Sequence, residues 1–395
     1  MPSDVEPAAL HSAAMDAIAA GDRGRALKIV LRALELYPDS LSAWLNYAGL
    51  LRASGQAEAA QEAVTQALRV EPRSFHALLM RGSLQDSQGR TMEAAKSYAL
   101  ALLFAPPDRE LDRATLTTLV RARQVHADYL AGLSQALRAE IDARADGASA
   151  VERRRFDKFV DVVSGRARVF EQRPADFHFP GLPAIEFYDD AFPWLAEVDA
   201  SFEPILEELR ADLSRGMDHF EPYVQLSVGD PVDQWRDLNR SMNWSSLHLK
   251  ARGKVVEGVE ARFPRTLEAL ARVPQPVAHN RSPVAMFSAL QPRTRIPPHH
   301  GVTNTRLVMH LPLIVPEGCG FRVGSETRPW IPGKAWVFDD TIEHEAWNDS
   351  DSLRVILIAD VWNPALSPYE REMYDVMLAT LDDFHGETFG SAGGA

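Results

Sequence analysis

The hydrophobic pattern divides the chain into two textures. Over roughly the first hundred residues apolar positions recur with helical spacing inside a repeat. Pro38, Pro72 and Pro106 are spaced by 34, as are Gly21, Gly55 and Gly89, then Ala26, Ala60 and Ala94, and again Ala33, Ala67 and Ala101. Four series at one period predict a tandem two-helix unit. Its alanines let helices approach closely, its glycine closes the intervening turn, and its proline ends the second helix. From about Leu111 to Phe170 the pattern stays helical and charged. Turn signals then crowd in at Pro174, Pro180, Gly181 and Pro183, marking a boundary. Ile205, Leu206, Leu209 and Leu213 fall on one stripe and predict a helix over residues 202 to 213. Beyond Trp244 come short β-prone runs broken by Pro and Gly. VAMFSAL, RLVMHLPLIV, AWVFDD and RVILIADVW read as strands, several of them buried on both faces. Many short strands in succession predict a sandwich or jelly roll. A last amphipathic helix is expected over residues 369 to 384, and the GETFGSAGGA tail is expected to be disordered.

The 34-residue period resembles that of tetratricopeptide repeats, of which about three units are present. Such units stack into a solenoid whose concave face commonly binds peptides. Stiffening or self-association is the equal alternative, since no groove residue stands out. At 395 residues two or three domains are expected, and 46% hydrophobic with 25% charged residues fits a folded soluble protein. Apolar stretches such as Leu311 to Pro316 are far shorter than the roughly 18 residues of a membrane span. The start MPSDVEPAAL lacks a basic segment followed by an apolar one, so a cytoplasmic address is expected. The single cysteine, Cys319, excludes an intrachain disulfide framework and multi-cysteine metal sites. A formal charge of -13 argues against nucleic acid as a partner. The run Glu152, Arg153, Arg154, Arg155 reads as a solvated helix face.

Candidate chemistry concentrates in the strand-rich part. Four of the twelve histidines, His299, His300, His310 and His344, lie between residues 299 and 344. Imidazole is the commonest side-chain metal ligand, though histidines also serve as hydrogen-bonding residues at strand ends. Along the strand from Arg306, the residues Arg306, Val308 and His310 share one face, and Leu307, Met309 and Leu311 the other. Arg354 opens an otherwise apolar run, where a buried arginine is costly without an anion. A dicarboxylate ligand gripped by the planar guanidinium satisfies that need, and so does an ion pair with Asp339 or Asp340. Spacing leaves both open.

The segment from Pro297 to Pro364, with its combination of PHxG, NxRLxxHLPL, FDDxxEHE and RxxLxxDVW, resembles the signature region of the aspartyl/asparaginyl β-hydroxylase family. The resemblance is dense from about Trp244 and weaker from about Phe170. It implies a multidomain α + β chain: a helical solenoid over 1–110, a helical extension over 111–170, a double-stranded β-helix with flanking helices over 171–385, and a tail over 386–395. It implies an Fe(II)- and 2-oxoglutarate-dependent dioxygenase that uses O2 to hydroxylate a C–H bond, on the β-carbon of Asp or Asn in a peptide or protein docked by the repeats. Hydroxylation of a lipid-linked acyl chain or small molecule is the alternative within the family. A non-catalytic repeat scaffold and a cupin-type isomerase or sensor are the alternatives outside it. Residue by residue, it implies that His299 and His344 hold the iron. It implies further that Arg354 and Ser288 bind the distal carboxylate of 2-oxoglutarate, that His310 and Trp244 line that pocket, and that Arg306 faces substrate or cosubstrate. Gly301 stands where such oxygenases usually carry a carboxylate ligand. Val308 stands where better-known members have arginine, and His300 where threonine is common. His300 is expected to point away from the metal, and Asp339, Asp340, Glu343 and Glu345 to serve structural hydrogen bonds.

Overall fold

The computed structural model describes residues 7–144, 146–189, 192–229 and 232–386. The expected disordered tail therefore falls almost wholly outside the described residues. The chain splits into two compact units, Met1–Arg166 and Ala167–Ala395.

The first unit is helical throughout. Helices α1 (Pro7–Ala19), α2 (Arg23–Leu36), α3 (Leu41–Ala53), α4 (Ala57–Val70), α5 (Phe75–Ser87) and α6 (Thr91–Leu103) pair in sequence. They are followed by the 30-residue α7 (Arg113–Asp142) and by α8 (Ala150–Val163). The 34-residue series acquire their physical meaning here. Gly21, Gly55 and Gly89 sit at φ of 75°, 76° and 72°, a left-handed turn that other residues adopt at a cost. Ala26, Ala60 and Ala94 are fully buried where helices touch. Ser40 and Ser74, also one period apart, cap α3 and α5 by accepting from the N–H groups of Ala43 and Ala77. The arginine run lies on α8, as expected of a solvated helix.

The second unit opens with α9 (Leu195–Ala200) and α10 (Phe202–Leu213), then β1 (Glu221–Pro222), β2 (Trp244–Ala251), β3 (Lys254–Val255), α11 (Val259–Arg262) and α12 (Pro264–Leu270). Eight strands follow: β4 (Ala285–Leu290), β5 (Thr294–His299), β6 (Arg306–Ile314), β7 (Cys319–Val323), β8 (Glu326–Arg328), β9 (Trp336–Phe338), β10 (His344–Asn348) and β11 (Arg354–Trp362), closed by α13 (Pro368–His385). With β1 to β3 they form an antiparallel sheet ordered β1-β2-β4-β11-β6-β9, with β3 beside β2, and a smaller one ordered β5-β10-β7-β8. The strand-rich part is thus a pair of antiparallel sheets, as the succession of short β-prone runs predicts. One face of the larger sheet, with Leu247, Phe287, Leu307, Met309, Leu311, Val355 and Leu357, packs under α10, α11 and α12 in one core. Its other face, with Trp244, Val308 and Ile356, meets Ile296, Phe321 and Ala346 of the smaller sheet in a second core. The period of two along each strand thus assigns alternate residues to packing and to the space between the sheets.

Two glycine substitutions separate backbone strain from crowding in the helical unit. A Cβ at Gly55 meets nothing within 4 Å, so Gly55→Ala is expected to cost only the left-handed backbone penalty, about 1 kcal/mol. A Cβ at Gly82 overlaps the Tyr98 ring, and Gly82→Ala is expected to cost about 1–3 kcal/mol. Urea denaturation of the full chain followed by helical circular dichroism gives the order; equal losses at the two sites contradict it.

Candidate active site

Strands β5 and β10 run antiparallel with His344 directly opposite His299. Cross-strand partners share a face, so residues 45 apart in sequence bring their rings to a centroid distance of 4.0 Å. The register shifts between the His344–His299 and Ala346–Ile296 pairs, which puts an extra residue of β5 beside this pair. Each ring is oriented by its Nδ1, which lies 2.8 Å from the Pro297 carbonyl oxygen in His299 and 3.1 Å from the Ile342 carbonyl oxygen in His344. With Nδ1–H donating to the backbone, each Nε2 carries its lone pair outward, the arrangement of a metal-ligating histidine. Burial holds His299 well below the ordinary histidine range, with His344 adding to the effect, and pushes His344 down to about 4. Both are neutral at physiological pH.

Between the sheets lies a cavity of about 650 Å³, within the range of small-molecule sites. The larger sheet contributes alternate residues to its wall: Trp244, Ser246 and His248 from β2, Met286 and Ser288 from β4, Arg306, Val308 and His310 from β6, and Arg354, Ile356, Ile358 and Asp360 from β11. Every site residue named from sequence therefore lines one cavity with both histidines. His300 also reaches its lining, half-buried, without joining the His299–His344 ring contact.

Arg354 is 1% exposed, and no acidic partner faces it among the described residues. Its NH1 donates a long 3.4 Å bond to the Ser288 carbonyl, and its Nε has no acceptor. Burial pushes it down to about 10, still protonated at neutral pH. The ion-pair alternatives are otherwise engaged. Asp339 accepts from Thr341 and Gln172, and Asp340 lies 3.3 Å from Arg306. Trp244 Nε1 donates to Ser288 Oγ at 3.1 Å, leaving the Ser288 hydroxyl proton for another acceptor. His310 is buried with Nδ1 unpartnered, held neutral by burial and by Arg354.

Gly301 is where the structure adds most to the sequence. A Cβ there would overlap the carboxylate of Asp340, which fills the space and pairs with Arg306. Arg306 also pairs with Asp360 at 3.3 Å. Burial opposes its charge, and Asp360 and Asp340 outweigh burial and raise it. Glu343 and Glu345 are both engaged by Arg322. Among the described residues no group of three His, Cys, Asp or Glu side chains is placed to hold a metal, and His299 and His344 are the two imidazoles brought into ring contact.

Sequence reasoning passed over the aromatic walls. Trp235 meets His299 edge-on at 5.2 Å, Tyr223 stacks on Trp244 at 4.0 Å, and Phe338 abuts His344 at 5.4 Å. Trp330 lies under the Arg354 guanidinium at 4.8 Å. Phe338 lies on the AWVFDD strand, whereas Tyr223, Trp235 and Trp330 come from segments without strand periodicity, where nothing in the local sequence signals the site.

Two outcomes follow. Gly301→Ala is expected to lower stability by about 1–3 kcal/mol by displacing Asp340, read by denaturant unfolding; unchanged stability contradicts the packing. In metal-free protein, the unfolded chain binds the His344 proton near pH 6.5 and the folded chain only near 4. The neutral buried ring therefore destabilises as pH falls through that window, by up to about 1.4 kcal/mol per unit. Burial raises Asp339 to about 6 and raises Asp340 and Asp360, which act with opposite sign in an overlapping range. The comparison with His344→Gln isolates the histidine: the variant gains on the parent as pH falls from 6.5 toward 5. Parallel curves across that range contradict it.

Comparison with known proteins follows the same division. The family model for Aspartyl/Asparaginyl beta-hydroxylase matches residues 200–364, and two tetratricopeptide-repeat models match residues 17–79 and 50–110. Human aspartyl/asparaginyl beta-hydroxylase is 33% identical over 182 residues, covering 46% of this chain and 24% of that protein. The ornithine lipid ester-linked acyl 2-hydroxylase of Rhizobium tropici is 34% identical over 185 residues, covering 46% of this chain and 62% of that protein. Human aspartate beta-hydroxylase domain-containing protein 2 is 30% identical over 215 residues, covering 53% and 55%. The chain thus spans about a quarter of the length of the first of these relatives and little more than half of the others. Residues 200–364 form a domain of the aspartyl/asparaginyl β-hydroxylase family, joined in this chain to tetratricopeptide repeats.

Proposed function

We propose that this chain is an Fe(II)- and 2-oxoglutarate-dependent dioxygenase that hydroxylates an unactivated C–H bond. The observation that carries the reading is the charged Arg354, with no acidic partner among the described residues, in the same cavity as two neutral histidines whose Nδ1 atoms are held by backbone carbonyls, leaving Nε2 as the nitrogen for a ligand bond. His299 and His344 would hold the iron through those nitrogens, in the neutral form a ligand requires. Arg354 and the Ser288 hydroxyl would bind the distal carboxylate of 2-oxoglutarate, and their unfilled donors fit that group. Bound there, iron with 2-oxoglutarate and O2 supplies the oxidising chemistry, leaving succinate and CO2 as coproducts.

The protein's own part is positioning and shielding. Trp244 orients Ser288 by donating to its oxygen, so the hydroxyl proton points to the ligand. His310, uncharged beside Arg354, lines the cosubstrate end without competing for its charge. Trp235, Phe321 and Phe338 pack around the histidines and exclude water, which strengthens the electrostatic contacts inside. Asp340, tied to Arg306, occupies the space that a ligand residue at position 301 would take.

The cavity is larger than a five-carbon dicarboxylate needs, and the remainder would receive the substrate. A β-carbon of Asp or Asn in a peptide or protein is the reading favoured by the two relatives named for that chemistry and by the repeats, which would dock the substrate. The acyl hydroxylase relative supports a lipid-linked acyl chain as the second reading.

Anaerobic titration with Fe(II) and 2-oxoglutarate, followed in the visible, is expected to give the weak charge-transfer band of the chelate. His344→Ala is expected to abolish the band and His300→Ala to leave it largely intact. A folded wild-type protein without the band refutes the dioxygenase reading. Loss in His300→Ala but not in His299→Ala refutes the ligand pair.

A further inference from the structure

Arg354 raises a question that its ligands alone do not answer: what stabilises a buried guanidinium while its site is waiting for an anion? An acidic side chain would neutralise it and repel a dicarboxylate. An aliphatic wall would leave the charge desolvated with nothing in return. The structure places an aromatic face there. Trp330, on the segment between β8 and β9 and 5% exposed, has its ring 4.8 Å from the guanidinium carbon. A ring face attracts the cation through its quadrupole and takes none of its in-plane N–H donors. Consistently, Arg354 Nε has no acceptor among the described residues.

Trp330 is itself held in place. It stacks on Phe321 at 5.4 Å and 25° and on Trp336 at 6.4 Å and 18°, so its plane is fixed by two further rings. Phe321 in turn touches His310 at 5.0 Å. Trp330 Nε1 is also buried without an acceptor, as is His310 Nδ1. Arg354, Trp330 and His310, each with one buried polar atom lacking a partner, therefore line the same cavity.

We propose that Trp330 is the positioning residue of the dicarboxylate pocket: its ring face holds the Arg354 guanidinium charged without taking its N–H donors. This inference rests on the 2-oxoglutarate reading given above. It predicts that Trp330 sets cosubstrate affinity while leaving the metal site and the turnover of the bound complex alone.

The test uses the full chain, loaded anaerobically with Mn(II), and calorimetric titration with 2-oxoglutarate. Trp330→Leu is expected to raise the Kd for 2-oxoglutarate about tenfold. Its Mn(II) affinity is expected to stay at the wild-type value, and kcat for succinate formation at saturating 2-oxoglutarate within about twofold in the Fe(II) enzyme. Trp330→Phe, which keeps a ring face, is expected to restore affinity to within about threefold of wild type. A wild-type Kd in Trp330→Leu overturns the inference. A joint loss of Mn(II) and 2-oxoglutarate affinity overturns it too, because a merely structural residue behaves that way. Should the leucine variant fail to fold, Trp330→Met, unbranched and ringless, is read by the same criteria. If wild-type protein binds Mn(II) but no 2-oxoglutarate, the dioxygenase reading itself fails, an outcome distinct from a binding-competent wild type matched by its Trp330 variants.

Discussion

A buried positive charge with no acidic partner among the described residues governs the architecture of the cavity. Arg354 opens β11, between β4 and β6, and burial disfavours its charged form. The fold compensates without neutralising it. A ring face lies against the guanidinium, one long bond runs to a backbone carbonyl, and the nearby acids are committed elsewhere. Such an arrangement keeps the site attractive to an anion and costs stability until one binds. Stability would in turn rise with the concentration of any ligand that fills it.

The histidine pair obeys a complementary rule. Backbone carbonyls two residues upstream fix both rings, and burial keeps them neutral. Asp340 occupies the place where a carboxylate-bearing residue at 301 would begin, so the lack of a carboxylate at that position is a packing consequence. Pairing Asp340 with Arg306, and Arg306 with Asp360, ties that packing to β6 and β11, the same strands that carry His310 and Arg354. Arg354 and His310 thus stand on the larger sheet and the histidine pair on the smaller one, so the packing between the two sheets sets how they face each other.

Much of this was legible in the sequence, for reasons that differ by element. The repeats were readable because each constraint is local and recurs: a left-handed turn at Gly21, Gly55 and Gly89, and tight contacts at Ala26, Ala60 and Ala94. Strands β4, β6 and β11 announced themselves as apolar runs because both faces are buried. The strands that carry the two histidines did not. β5 contains Pro297 and Pro298, which ordinarily argue against a strand; as the edge of the smaller sheet it has one side free of ladder bonds. β10 is only five residues long. Arg354, Ser288 and His310 were picked out by resemblance to a known family, and the structure supplies the reason they sit together: neighbouring strands in fixed register. Trp330 and Trp235 reach the site only through tertiary packing, which no local pattern encodes.

The central claim is that this cavity joins a two-histidine metal centre to a dicarboxylate pocket closed by Arg354. A crystal structure of the full chain grown anaerobically with Mn(II) and 2-oxoglutarate tests it most directly. The account predicts a metal ligated by His299 Nε2 and His344 Nε2 with no protein carboxylate in its coordination sphere, and the distal carboxylate of 2-oxoglutarate against Arg354. A metal bound by Asp340 or by His300, or a dicarboxylate seated away from Arg354, would contradict it.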